Sequence, residues 1–241
     1  MQKLYLFLLL TLPVFATAQH YKFELAAEAG PGVSCIYGSG AKQLQKQNPL
    51  VGYSAGLGLH FNTPKVVGIY TGVYVQRKGF EWPIPALASD GRAMTYRYQA
   101  LYHYVTIPVM LNATVGKKVQ FFVNAGGYVS ALFRIYLQQK ELGIDNVNPG
   151  GYQYVDAGFC GGMGLRVAVL KRLIISVEAR NSTGFMKVVK NTEAKDAFYN
   201  TSTSFSVGLA YSFKPWKKKM RQPNSLIQVL RSHNIPDRTL R

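Results

Sequence analysis

The 241-residue chain is short of acid: eleven Asp and Glu stand against 28 Lys and Arg, a formal net charge of +17. It has only two cysteines, Cys35 and Cys160. That excludes a disulfide-rich scaffold and leaves at most one bridge, between two small residues expected far apart in the fold. The four histidines, His20, His60, His103 and His233, lack metal-ligand spacing, and the cysteines form no Cys-x-x-Cys pair. No phosphate-binding loop or dinucleotide glycine pattern sits in a strand-to-helix context. No metal, cofactor or enzymatic activity is therefore expected. Long apolar runs are also missing. The longest, Leu4 to Phe15, is shorter than the ~20 residues a transmembrane helix needs.

That run follows a basic start, Met1-Gln2-Lys3, and precedes Ala16-Thr17-Ala18, the pattern of a secretory signal peptide. Residues 1–18 are read as the leader and 19–213 as one all-β domain. Residues 214–241 are read as a basic tail, most simply disordered and periplasmic, with a periplasmic partner as the alternative. The tail holds eight Lys/Arg and one acid, Asp237. Nucleic acid is the usual partner of such a charge balance, but an exported chain does not meet it. Outer-membrane lipid, including lipopolysaccharide, is the expected anionic contact.

What the sequence has in plenty is period-two alternation. From Tyr98 to Gln138 the bulky apolar residues fall on odd numbers: Leu101, Val105, Ile107, Val109, Leu111 and Val115, then Phe121, Val123, Val129, Phe133, Ile135 and Leu137. Even numbers carry small, polar and tyrosyl residues. This is the strand period. The Gly116-Lys117-Lys118 turn preserves parity, with Val115 set opposite Val119. Similar ribbons run over 20–37, 51–62, 67–78, 152–169, from Leu173, and over 202–213. The Gly30-Pro31-Gly32 step suggests a kink or bulge in the first. Short turns, 63–65, 116–118 and 170–172, alternate with long polar loops, 38–50, 79–95, 140–151 and 187–200. Eight strands with alternating short and long connections predict an up-and-down antiparallel transmembrane β-barrel. It would be integral to an outer membrane, with both termini periplasmic and the odd-numbered face toward lipid. A soluble barrel would place its apolar face inside. Here that face carries the bulk, and the other carries Gly, Ala and Ser.

Lumen charges should pair, because an isolated buried charge is costly. The expected partners are Arg166 with Glu178 on adjacent strands, Arg134 with Asp156 near the outer rim, and Glu28 with Arg180 across the small residues of the last strand. A lipid-acting enzyme would need a serine beside the outward His103, and none is evident.

The stretch Tyr104-Val-Thr-Ile107-Pro108-Val-Met-Leu-Asn112 resembles the Tyr-x-x-Ile-Pro-Leu-Leu-x-Lys signature of the PorT-like outer-membrane β-barrels of Bacteroidota, with Asn112 in place of the basic residue. Glu178 to Gly184 resembles that family's Glu-x-Arg-Tyr-x-x-Gly stretch, and Asn181 stands where an aromatic is common. The resemblance spans about residues 20–213. It implies a barrel, a bulge at the in-strand Pro108, and a closing strand ending in Tyr211 and Phe213 for the barrel-insertion machinery. It also implies, more weakly, an accessory role beside a secretion partner. The sequence alone predicts a non-enzymatic barrel with a narrow, side-chain-filled lumen, serving envelope structure or surface interaction.

Overall fold

Alternation of this kind leaves each strand one oily and one wet face, and the chain resolves it by closing on itself. A computed structural model describes residues 22–44, 47–63, 66–87, 92–139, 144–147, 149–190 and 197–213. The leader and the basic tail lie outside these residues. The elements are β1 (Lys22–Tyr37), α1 (Ser39–Gln43), β2 (Asn48–Asn62), β3 (Val67–Leu87), β4 (Ala93–Gly116), β5 (Val119–Gln139), β6 (Ile144–Val147), β7 (Val155–Ala168), β8 (Leu173–Gly184) and β9 (Tyr199–Ser212). Each strand of the wall pairs antiparallel with its neighbour in sequence, except that β5 passes over β6 to pair with β7. Pairing of β1 with both β2 and β9 closes an eight-stranded ring. The short β6 adds only to the long-loop end of β5. Among the described residues no helix is long and apolar enough to cross a membrane, so the strands make the wall.

Polarity is inverted relative to a water-soluble protein. Large apolar side chains point outward, with Leu111 64%, Val207 61% and Phe159 73% exposed, while Glu24, Asn112 and Ser130 are at most 1% exposed. Only lipid makes such an exterior favourable. Aromatic rings gather at the end with the short turns: Phe23 lies 5.3 Å from Phe61 and 5.1 Å from Phe213, which in turn lies 5.4 Å from Tyr211. Arg172 donates to the Tyr211 hydroxyl at 2.8 Å.

Four local expectations are corrected. The Gly116 turn is centred one residue later than expected. Val115 stands opposite Phe121 and Gly116 opposite Gln120, with Gly116 at φ 113°, where a side chain is strained. Parity survives because each partner on β5 moves by two residues. Neither Pro31 nor Pro108 makes a bulge. The pairs flanking each keep one register, so the ladder loses a donor without gaining a residue. The bulge lies instead between His103 and Tyr104, opposite which β5 carries the extra residue Phe133. Parity on β5 therefore flips. Phe133 and Arg134 both face outward and Ile135 turns inward to 3% exposure. Arg134 is thus not a lumen residue. Finally, the loop expected over 79–95 is mostly strand, with β3 running to Leu87 and β4 starting at Ala93. Pro83 and Pro85 suggested a break, but β2 pairs with β3 only as far as Glu81. Beyond it β3 is an edge strand, where proline is tolerated. At ~3.4 Å per residue the 24 residues of β4 extend roughly 80 Å. The β3–β5 side consequently rises well above the apolar band.

Candidate functional site: a filled lumen

The even-numbered faces of the eight strands converge on a lumen that can be followed upward from the short-turn end. Lowest, Arg166 of β7 forms an ion pair and hydrogen bond with Glu24 of β1. This corrects the expected Arg166–Glu178 pair. The register does place Gly164 opposite Glu178, but that carboxylate is turned toward its own strand. Arg180 donates to it at 2.6 and 3.0 Å, and Asn124 at 3.0 Å. Arg166 reaches across β8 and β9 because the intervening β9 residues Gly208 and Ala210 are small.

Above it, Glu28 gathers the largest set of contacts. It accepts from the Tyr70 hydroxyl at 2.9 Å, the Tyr74 hydroxyl at 2.8 Å and Arg180 at 3.3 Å, with His60 Nε2 at 3.6 Å. The Arg180 guanidinium lies over both tyrosine rings, 4.8 and 5.2 Å from their centroids. Glycine makes room for this cluster. A Cβ at Gly58 would meet the Tyr74 hydroxyl at 2.7 Å and Glu28 at 3.0 Å.

The next layer holds Asp156, whose partner is Lys78 at 3.8 Å rather than Arg134. Tyr128 also donates to Asp156, at 2.9 Å. Among the described residues Lys78 Nζ makes no hydrogen bond. Its charge is met by Asp156 and by the rings of Tyr128, at 4.7 Å, and Tyr104, at 5.4 Å. A side-chain chain from Ser54 through Gln76 and Thr106 to Ser130 fills the same height. The cavity left between Ser34, Ser54, Gln76, Lys78 and Ser204 is about 10 Å³, space for one water at most.

At the long-loop mouth the lining turns apolar. Ile36, Phe80, Tyr102, Leu132 and Ile135 pack with Ala41 of α1 and Val188 of the loop after β8.

Glu28, Asp156, Arg166, Glu178 and Arg180 thus all lie in the lumen, and Glu28 meets Arg180. Glu24, His60 and Lys78 belong beside them. All three are even-numbered on strands of known parity, so their inward direction was readable; their partners, on non-adjacent strands, were not. Cys35 and Cys160 are free, on β1 and β7. His103 faces outward beside Phe133, Arg134 and Tyr136, with no serine in that contact set. Among the described residues no group of three or more His, Cys, Asp or Glu could hold a metal ion.

A closed antiparallel ring with an apolar exterior and an ion-paired interior defines an integral β-barrel of the outer-membrane class. The chain belongs to the outer membrane protein beta-barrel domain family, whose profile matches residues 17–190. No curated protein matches the sequence. Similar solved structures include Neisserial surface protein A, 13% identical over 79% of this chain and 97% of that one, TM-score 0.45. Others are OprG of Pseudomonas aeruginosa, 11% identical over 81% and 98%, TM-score 0.42, and Ail of Yersinia pestis, 12% identical over 78% and 98%, TM-score 0.41.

Proposed function

We propose that this protein is a non-enzymatic outer-membrane barrel that works through its wall and outer surface, not through a pore. Its long loops would face outward and its termini the periplasm. The observation that supports this reading is the packed lumen, where layers of buried polar side chains lie beneath an apolar cluster. Planar-bilayer recording of the refolded barrel tests it. No conductance steps are expected; reproducible steps that scale with protein would overturn it.

A second reading is an accessory barrel in a secretion complex. It is favoured by the PorT-like segment around Tyr104, Ile107 and Pro108 and by the tall β3–β5 wall. Crosslinking in outer membranes separates the two. A stoichiometric secretion partner supports the accessory role, and recovery of the barrel alone supports the first.

A further inference from the structure

The outward face of β3–β5 carries a row of basic residues at one level, with Tyr53 of β2 at its end. The register sets Tyr53 opposite Arg77, Arg77 opposite His103, and His103 opposite Arg134. Below His103 the outward residues of β4 are Val105, Ile107, Val109, Leu111, Ala113 and Val115. Ten residue steps at ~3.3 Å, tilted by about 40°, climb roughly 25 Å, the height of a lipid-facing band. His103 is the next outward residue above that band. Arg77 likewise follows Val75 on β3, and Arg134 follows Phe133 on β5. The row therefore lies at headgroup level.

Arg134 is there only because of the bulge at Phe133. Bulges re-aim side chains, and this one moves a guanidinium from the lumen side to the lipid side, beside His103. Both arginines are held in place. Arg77 lies 5.2 Å from the Tyr53 ring centroid and donates to the Val51 carbonyl at 3.2 Å. Arg134 lies 5.8 Å from the Tyr136 ring and donates to its hydroxyl at 3.0 Å. His103 packs between Phe133 and Tyr136, at 6.0 and 5.5 Å.

What the row lacks is an anion. Each lumen arginine and Lys78 meets a carboxylate. Among the described residues neither Arg77 nor Arg134 does, and Arg77 Nε and His103 Nδ1 are shielded from solvent without a hydrogen-bond partner. The outward polar residues of β8 and β9 differ. Asn181, Thr183, Thr201 and Thr203 are uncharged and bond to one another. The cationic row is a feature of one wall, not of the whole rim.

We propose that Arg77 and Arg134, with His103 between them, bind the phosphate of a lipid headgroup in the outer leaflet. The two arginines sit two strand spacings apart, about 10 Å, and Arg77 reaches a phosphate shared with Arg134 by swinging from the Tyr53 ring and the Val51 carbonyl toward His103. Stacked guanidiniums with free donors suit that group better than a lysine would. The outer-leaflet part of the proposal rests on the orientation proposed above.

The test uses the full barrel in phosphatidylcholine nanodiscs doped with fluorescent lipid A, with folding confirmed for every variant by heat-modified mobility. R77Q/R134Q is expected to weaken lipid A binding about 25-fold, roughly fivefold per cation. R77K/R134K, which keeps the charge, should lose far less. K117Q/K118Q, at the opposite rim, should bind as the wild type does, and dephosphorylated lipid A should bind no better than phosphatidylcholine. Wild-type binding by R77Q/R134Q, or an equal loss in K117Q/K118Q, would overturn the site. Displacement of lipid A by an equal concentration of inorganic phosphate would overturn the lipid assignment. Orientation is read separately, by maleimide labelling of a cysteine placed at Gly150 in a C35S/C160S background on intact cells. Absence of labelling there refutes the outer-leaflet placement, while the nanodisc result still decides the phosphate site.

Discussion

Arg180 is clasped by two carboxylates, Glu28 and Glu178, and overlain on two tyrosine rings. Removing one partner from a buried ion pair is costly because the remaining charge cannot return to water. Glu178→Ala should lower the thermal unfolding midpoint of the refolded barrel in detergent, with a loss of about 3 kcal/mol. An unchanged melting curve would remove Glu178 from the network. At the next layer Lys78→Met strips Asp156 of its cation. It should destabilise more than the double variant K78M/D156N, where no charge is left behind. Equal losses would mean that Lys78 acts by packing alone.

Among the elements, β5 shows both how much of the fold the sequence displays and where it misleads. Inside the membrane its odd residues are apolar and face lipid, so alternation alone reveals the wall. Above the membrane the surroundings change sign: the interior is the oily plug and the exterior is wet. The bulge at Phe133 shifts parity by one at that same level. The two reversals cancel, and Phe133, Ile135 and Leu137 continue the odd-numbered apolar pattern as if nothing had happened. Local period therefore does not reveal the flip, and for this reason Arg134 reads as a lumen residue in the sequence while the structure turns it outward. Glu28–Arg180 was foreseeable because the small residues of β9 leave a gap between their strands. Glu24–Arg166 spans the same gap but needed the three-dimensional direction of two long side chains. Deleting Phe133 should remove the bulge and keep both faces, because Leu132 inward is then followed directly by position 134 outward and Ile135 inward. In the C35S/C160S background, a cysteine at position 134 should react with a lipid-phase maleimide in the parent barrel and in the deletion variant alike. Protection in the deletion variant would show that Phe133 is not the extra residue.

For the whole molecule, the proposed closure would be redundant. The apolar cluster at the long-loop mouth and the ion-paired layers beneath it would block the lumen independently. Deleting α1, residues 39–43, should therefore leave bilayer recordings silent. Opening a conductance should require clearing the middle, as in E28A/Y74A/R180A. Steps appearing on deletion of α1 alone would place the block in the plug.

The Glu24–Arg166 and Glu28–Arg180 contacts join residues 142 and 152 positions apart. They tie β1 to β7 and β8 across the intervening β9. Glu24, Glu28 and Arg166 meet these partners only when β1 joins β9, so a partly assembled sheet leaves them bare, while Arg180 keeps Glu178 of its own strand. Loop-closure entropy is spent before those contacts return anything. Assembly should therefore be slow and end in one cooperative step, the zipping of β1 onto β9, and half-built ribbons should not persist as stable species in the bilayer.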